Sequence, residues 1–509
     1  VEVSSAGPVY RWDVEENLGY VKERKLYLVT GMGAGRTFGV HNNTVGNLRR
    51  GLYERVLYRV DGTKRTPPLT ASASVIEEEM GPFRSALVGY IPPAHPVTRD
   101  KFVAMYSGRK QTIYAKAASS LQRRPLSIAD SYLSTFVKCE KIDFSTKPDP
   151  APRMIQPRSP RFNVEIGRYL KPLEKKVVKA IADVWEEPTV MKGLTPEQVG
   201  AEFKKKWDKY ADPVAIAMDA VKFDQHVNTD LLGWEHSCYL EATPEARRTH
   251  LKSLLKMQLT NTGFARAPDG TIRYKVAGRR ASGDMNTGMG NCLIMCGAMW
   301  ALRTKTRPFS LANNGDDCTL ICERSNAEAI RRAVPAHFRA YGLLMEVEST
   351  VDTFEKISFC QTSPVRLSDG TVLMVRDPRV CLDKDTCTPI PLTSAKTTSP
   401  WLWAIGNGGM SLTGGVPIMQ EFYAALGRHG TPSKVWDSCA MDNGFKMMTV
   451  GMDRKHMAVG DETRLSFWRA FDILPDMQVA LEQEFAATAL SLSAGELTSP
   501  HIHLRHIFQ

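Results

Sequence analysis

The sequence predicts an α+β protein. Short apolar runs end in turn residues, and two stretches fold back on themselves across Pro-Asp-Gly and Asn-Asn-Gly turns. Stretches of helical period lie among them without a regular strand–helix alternation. Up to about Tyr132 the chain is mixed and contains prolines, with basic runs at Asn47-Leu48-Arg49-Arg50 and Lys64-Arg65. A strongly basic segment runs from Val137 to about Lys176, and VEIGRYLKPLEKKVVKAIADVW, residues 164–185, reads as a helix. Pro172 should kink or restart it, because proline removes a backbone donor and crowds the preceding turn. Lys204 to Tyr210 reads as a charged helix end, and Val214 to Met218 as a short buried strand. Leu231 to Leu259 has a helical period, and Thr260 to Lys275 reads as a hairpin turning at Ala267-Pro268-Asp269-Gly270. Asn291 to Thr304 reads as an apolar helix, and Arg307 to Cys322 as a second hairpin turning at Asn313-Asn314-Gly315. Ala327 to Tyr341 reads as a helix, Val347 to Phe359 has strand character, and the remainder is mostly helical with a glycine-rich interruption, AIGNGGMSLTGG. A composition shift near Leu367 marks a last, separate domain.

Length and charge narrow the function classes. A chain of 509 residues, 43% hydrophobic and 24% charged, can bury a large core and suits about three domains. A net charge of +11 with a pI of about 9.1 suits an anionic partner, nucleic acid or an anionic membrane surface. The ten cysteines include no CxxC pair and no zinc-spaced Cys/His cluster. Cys292 and Cys296, one helical turn apart in an apolar run, read as buried free thiols, which suits a reducing compartment. No apolar run reaches the roughly 18–20 residues of a membrane span, and no signal peptide is evident. The chain begins at Val1, as a fragment or a processed or recoded product would, so an anchor upstream is an open expectation.

The carboxylates carry the chemistry. Asp219 closes an apolar strand, Asp224 follows five residues later, and Asp316 and Asp317 occupy a hairpin tip between FSLA and CTLIC. Gly315 permits a tight turn that points carboxylates off the strand ends. Hard oxygen ligands of this kind suit Mg²⁺ or Mn²⁺, and two such ions can stabilise both the attacking and the leaving oxygen of a phosphoryl transfer. Between the two strands, Ser282, Gly283, Thr287, Gly288, Gly290 and Asn291 form a small-residue loop before the apolar helix, where backbone can approach a polyanion or a base edge.

The order DAVKFD, SGDMNTGMGN, GDD resembles motifs A, B and C of viral RNA-directed RNA polymerases. EKISFCQ is similar to motif E, and VKCEK with PAPRMIQPRSPRFNVEIGRYL is similar to motif F and its sequel in the tombusvirus-like polymerases of positive-strand RNA plant viruses. GVHNNTVGNLRRGLYERV resembles the segment ahead of the fingers in the carmovirus and umbravirus branch. The resemblance implies a right hand of fingers, palm and thumb, with an antiparallel palm sheet flanked by helices. It divides the chain into an N-terminal segment and fingers (1–210), palm with motif A (211–232), fingers (233–280), palm with motifs B to E (281–365) and thumb (366–509). It implies Asp219, Asp316 and Asp317 as catalytic metal ligands for two Mg²⁺ or Mn²⁺ ions, with the Ala220 carbonyl as a further ligand. Asp224, Ser282, Gly283, Thr287 and Asn291 would bind the NTP and its ribose. Lys138, Lys141 and Arg153 would bind triphosphate, Arg153 first because its planar fork takes phosphate bidentately; Lys147 and Arg158 fall in the same region. Phe359, Cys360 and Gln361 would steady the primer end.

The implied partners are RNA template and product, NTPs, a viral auxiliary replication protein, and a host membrane reached through a partner or an upstream segment. The implied place is a membrane-associated replication complex in the host cytoplasm. One departure stands out. No lysine occurs between Lys305 and Lys356, where the family often has a motif D lysine to protonate pyrophosphate, and YGLLMEVEST offers Glu346 and Glu348 instead. Arg339, a water or a lysine from elsewhere are the options for that proton. The competing readings are another palm polymerase, such as a reverse transcriptase, and a non-catalytic RNA-binding replication protein. GMGAGRTFG, residues 31–39, reads as a turn because no helix-forming run follows it. Trp401 and Trp403 read as core packing, with base stacking as the alternative. His501, His503 and His506 read as part of a partly ordered tail rather than a metal site.

Overall fold

A computed structural model describes residues 9–433, 445–493 and 495–499. At its centre lies a four-stranded antiparallel sheet in the order Ser310–Asn314, Asp317–Glu323, Pro213–Ala220, Met345–Val347. Strand side chains alternate between faces, and this sheet is buried on both. Val214, Ile216, Met218, Leu311, Cys318 and Leu320 enter one core, which they share with the helices Pro160–Trp185, Thr229–Ala242, Thr287–Lys305 and Arg324–Arg339. Ala215, Ala312 and Ile321 enter a second core with Phe203, Phe354 and Phe359. Burial on both faces is why these strands read as continuous apolar runs rather than as alternating ones.

A five-stranded mixed sheet gathers segments far apart in sequence, in the order Val9–Glu16, Gly270–Ala277, Thr260–Ala267, Leu133–Val137, Met154–Ile155. Beyond Leu367 the helices Ala395–Thr413, Met419–Arg428, Asp461–Phe471 and Pro475–Ala487 pack around Trp401, Phe422, Tyr423 and Phe467. This core also takes in Val29 and Met32, because strand Tyr27–Thr30 sits between Cys387–Thr388 and Glu496–Thr498. Trp401 is wholly buried there and Trp403 partly, as core packing predicts.

Several expectations need correction. Pro172 does not restart its helix, which runs unbroken from Pro160 to Trp185. The carbonyl that Pro172 deprives of a partner, that of Arg168, accepts the Val97 N–H at 3.0 Å, so the usual cost of an orphaned acceptor is removed. The glycine-rich run is no interruption, since residues 404–413 lie inside the helix Ala395–Thr413. The glycines are there for close packing: a Cβ on Gly406 would stand 2.3 Å from the Gly427 nitrogen, and one on Gly409 would stand 2.0 Å from the Tyr423 ring. Val347 to Phe359 is mostly not strand. The pairing stops at Val347, resumes as a single bridge at Val351, and gives way to a 3₁₀ turn at Phe354–Lys356 that buries Phe354 and Glu355. Leu231 to Leu259 contains two helices, Thr229–Ala242 and Glu245–Lys256, parted at Pro244. Residues 31–35 turn, as expected, but Phe38–Gly39 forms a short strand paired with Ile142–Asp143. Among the described residues no helix is long and apolar enough to cross a membrane. His501, His503 and His506 lie outside the described residues.

Candidate active site

Register brings the carboxylates together. Cys318 pairs with Met218, so one step further along the same ladder Asp317 stands opposite Asp219. On the other edge of that strand Glu346 pairs with Asp219. Directly opposed residues share a face, so Asp219, Asp317 and Glu346 project to one side of the sheet. Asp316 sits at the turn, where Gly315 has φ of 70°, a conformation that glycine adopts without a Cβ penalty. The Ala217 carbonyl accepts from Glu348 at 3.0 Å, and Val221 donates to Leu344 at 2.9 Å. By alternation along the strand, the Ala220 carbonyl faces the opposite edge, toward the Asp316 turn.

These acids are crowded. Burial, then Asp219, push the Asp316 carboxyl above the usual range. Burial, then Asp316, do the same for Asp317. Among the described residues no three His, Cys, Asp or Glu side chains already form a metal cage. The donor set nonetheless fits a hard divalent cation: all its atoms are oxygens, and a cation would relieve both the repulsion and the desolvation that raise these groups.

Three sulfurs hold the turn. Cys292, on the Thr287–Lys305 helix, accepts the Gly315 N–H at 3.3 Å, Cys318 accepts from Asn313 Nδ2 at 3.1 Å, and Cys360 accepts from Asn314 Nδ2 at 3.3 Å. Cys292 and Cys296 are free buried thiols, as the sequence predicts. Phe359, Cys360 and Gln361 form a tight reversal in which Phe359 and Thr362 exchange both backbone hydrogen bonds at 3.0 Å. Cys360 and Gln361 adopt φ of 49° and 61°, unusual for non-glycine residues. The reversal is fastened to the hairpin that carries Asp316 and Asp317, where Thr319 Oγ1 donates to the Ser358 carbonyl at 2.8 Å. Phe359 anchors it by packing edge-on against Phe203.

A cavity of about 110 Å³ opens beside the turn and is lined by Asp224, Asp316, Ser282 and Arg153, together with Arg55 and Lys222. Asp224 Oδ1 accepts from Asn291 Nδ2 at 3.1 Å, and burial raises its carboxyl above the usual range. The Ser282 carbonyl accepts the Gln156 N–H at 2.7 Å, Gly283 follows with φ of 128°, and Thr287 Oγ1 donates to the Ala281 carbonyl at 2.9 Å. Thr287 and Asn291 lie within the helix Thr287–Lys305 rather than in a loop before it, because Thr287 already opens the first turn. Arg153 also reaches a larger cavity, of about 660 Å³, which Lys141, Lys147 and Gln361 line as well. Lys138 is ion-paired with Glu140 at 2.9 Å, and Lys141 Nζ donates to the Lys384 carbonyl at 2.8 Å. Arg158 is set apart from both cavities. Its side chain is 1% exposed and forks onto Asp284, with further bonds to the Ser131 carbonyl and Asn261, so it holds the fold and does not face the cavities.

The structure adds residues that pattern reading passed over. Arg55 and Lys222 enter the smaller cavity, and burial lowers the pKa of both. Arg280 and Glu235 form an ion pair behind Asn291. Arg280 lies two residues before Ser282, which was a weak signal, whereas Glu235 had none, since nothing in a helical stretch marks one acid as buried.

The profile of a protein family described as viral RNA dependent RNA polymerase matches residues 10–493. Proteins named RNA-directed RNA polymerase are similar over most of the chain. That of tobacco necrosis virus (strain A) is 44% identical over 464 residues, covering 91% of this chain and 63% of that protein. That of turnip crinkle virus is 42% identical, covering 91% of this chain and 60% of that protein. That of tomato bushy stunt virus (strain Cherry) is 40% identical, covering 94% and 58%. The chain thus spans about three fifths of the length of these relatives. With the match running through every element that builds the acidic turn and its cavity, the chain belongs to the viral RNA dependent RNA polymerase family.

Proposed function

We propose that this chain is the polymerase part of a positive-strand RNA plant-virus replicase, joining ribonucleotides on an RNA template by two-metal nucleotidyl transfer. The observation that carries the reading is the convergence of Asp219, Asp316 and Asp317 at one strand end, beside a cavity lined by Asp316 and by Asp224, to which Asn291 donates. Asp219 and Asp316 would hold two Mg²⁺ or Mn²⁺ ions, with Asp317 and the Ala220 carbonyl as further oxygens. Such ions, when bound, supply charge neutralisation for the attacking 3′-hydroxyl and the leaving pyrophosphate.

The chain's own residues do the positioning. Arg153, with Arg55 and Lys222 beside it, takes the triphosphate, and Lys138 and Lys141 stand further out on the basic arch. Asp224 and Asn291 read the ribose 2′-hydroxyl. A deoxynucleotide leaves them a polar group short, at a cost of about 1–3 kcal/mol. Ser282, Gly283 and Thr287 shape the wall on which the base and sugar rest. The reversal at Phe359, Cys360 and Gln361 backs the primer end, its strained backbone held by the hairpin it supports. Base pairing chooses the nucleotide, so the protein grips mainly phosphate.

The hand follows the notion of fingers, palm and thumb. Its support is the five-stranded sheet that unites residues 9–16 and 133–155 with 260–277, the central sheet that carries the acids, and the helical core beyond Leu367. We assign fingers to 1–210 and 233–280, palm to 211–232 and 281–365, and thumb to 366–509. RNA and NTPs are the partners of this reading. An auxiliary protein or an upstream segment supplies the membrane contact.

The test is RNA synthesis from a short single-stranded template with four NTPs and Mg²⁺ or Mn²⁺, beside Asp316→Asn. Template-length product from the parent alone supports the polymerase and its aspartate. Equal product from both sinks the site assignment.

A further inference from the structure

Behind the Asp224–Asn291 pair lies a buried polar chain with no role in the reaction as described above. The Asn291 side chain is held from two sides: its Nδ2 donates to Asp224 at 3.1 Å, and its Oδ1 accepts from Arg280 Nε at 2.8 Å. Arg280 is 1% exposed and its other nitrogens fork onto Glu235, which is fully buried. Glu235 in turn accepts from Tyr239 and from Asn286 Nδ2, each at 2.7 Å, and Gln258 Nε2 donates to Asn286 Oδ1 at 2.9 Å. None of these side chains is left with an unpaired buried polar atom.

The arrangement has a directional consequence. An asparagine amide can be turned over, exchanging its donor end for its acceptor end at almost no steric cost. Turned over here, Asn291 would aim its oxygen at the Asp224 carboxylate and its NH₂ at the Arg280 guanidinium, pairing acceptor with acceptor and donor with donor. Arg280 therefore fixes which end of Asn291 meets Asp224. Glu235 fixes Arg280, because a bidentate carboxylate on its two terminal nitrogens sets the plane of the guanidinium and so aims Nε at Asn291.

We propose that Glu235 and Arg280 are positioning residues for ribose selection: the pair locks the Asn291 amide so that Asp224 and Asn291 present one fixed pattern to the 2′-hydroxyl. The inference rests on the polymerase reading and extends it to Glu235, which does not line the small cavity, and to Arg280, which lines it beside Asp224 but commits its guanidinium to Glu235 and Asn291. A point cation cannot replace the fork. Lysine at position 280 keeps the charge opposite Glu235 but cannot also aim a second, fixed donor at Asn291.

The experiment measures kcat/KM for a ribonucleotide and its deoxy counterpart, together with the thermal midpoint of each protein. Arg280→Lys is expected to lower the ribo-to-deoxy ratio about tenfold, the scale of one charge-assisted hydrogen bond. In an Asn291→Ala background the same substitution is expected to lower the ratio no further, because its path to the substrate is gone. Arg161→Lys is the control: Arg161 is another buried arginine, bonded to Asp130 at 3.0 Å and outside this network, and its loss should lower stability and leave the ratio unchanged. If Arg280→Lys shows no cooperative unfolding, Glu235→Gln takes its place with the same expected direction. An unchanged ratio in a folded variant, an equal drop in the Asn291→Ala background, or an equal drop in Arg161→Lys overturns the inference and leaves the polymerase reading standing. A parent chain that makes no RNA overturns both.

Discussion

The acids at the centre of the molecule were the most legible residues and are among its most strained. A carboxylate at a strand end and a pair at a hairpin tip can be found from apolar runs and one glycine, because the turn chemistry is local. Their mutual crowding is not local, and it has a cost. Burial and neighbouring acids raise the carboxyls of Asp316 and Asp317, so the folded state holds their protons to higher pH than the unfolded chain does. With no metal added, stability should therefore fall as pH rises from the ordinary carboxylate value of about 4 through their raised values, and stay lower above them. Asp316→Asn removes one of the repelling charges. We expect it to stabilise the metal-free chain near neutral pH by on the order of 1 kcal/mol while abolishing RNA synthesis. Urea unfolding of parent and variant in chelator checks this; a less stable variant would mean that the crowding is already relieved by contacts within the fold.

The sulfurs around the same turn belong to the part the sequence hides. Cys292 reads as a helix-core thiol and is one, yet its lone pair also takes the Gly315 N–H, a contact made across 23 residues of chain. Cys360 stands in the strained reversal beside Asp317, its thiol pushed up to about 12 by burial and by that carboxylate. It should therefore resist alkylation at neutral pH, when exposed Cys139 reacts, and a mass-spectrometric time course of labelling would show the order.

At the scale of elements, periodicity found the strands and hairpins because both faces of the central sheet are buried and one turn carries Pro-Asp-Gly; the second turn came out at Gly315-Asp316, one step past the expected site, since Asn313 and Asn314 still pair with Cys318 and Asp317. It failed where a local rule was overruled by a partner elsewhere. Pro172 stays helical because Val97 satisfies the carbonyl it strands, and the run around Gly406 stays helical because a second helix needs its bareness. Glycine thus means opposite things in two helices. Gly233 is exposed in the helix Thr229–Ala242 with nothing within 4 Å of a Cβ, so Gly233→Ala should stabilise the chain by about 1 kcal/mol through helix propensity alone. Gly406→Ala has the same propensity gain but drives a methyl into the Gly427 backbone, and should destabilise by about 1–3 kcal/mol. Denaturation midpoints of opposite sign would establish that the C-terminal helix pair is held by close backbone approach; equal signs would refute it.

For the molecule as a whole, the segment around residues 31–36 is fastened to the helix that carries Asp383 and to the basic arch. The turn at residues 31–36 donates the Gly35 and Arg36 N–H groups to Asp383, at 3.4 and 2.9 Å. Arg36 then bonds Asp143 at 2.6 Å and Thr146 at 3.1 Å, and Lys141 bonds the Lys384 carbonyl. These bonds close a ring around the cavity of about 660 Å³ that adjoins the Phe359–Gln361 reversal. No sequence pattern announces such a ring, since its bonds join residues from 107 to 348 positions apart; the glycines at 31–35 showed only that a turn was there. Asp383 is its keystone: removing the carboxylate deprives the part-buried Arg36 N–H of its partner, at a cost of about 1 kcal/mol, while the exposed Gly35 N–H turns to water. Because the segment also buries Val29 and Met32 in the C-terminal core, the loss should open the ring locally and leave the chain folded. Asp383→Ala should therefore speed amide hydrogen exchange at residues 33–36 and 141–146 and leave exchange in the central sheet as it was. The arch also carries Lys138, Lys141 and Arg153, the cations proposed above to take phosphate, so on that reading the same variant should bind single-stranded RNA more weakly, with a salt dependence no steeper than the parent's. Unchanged exchange at 141–146 would show that Arg36 and the Phe38–Gly39 pairing with Ile142–Asp143 hold the arch without Asp383.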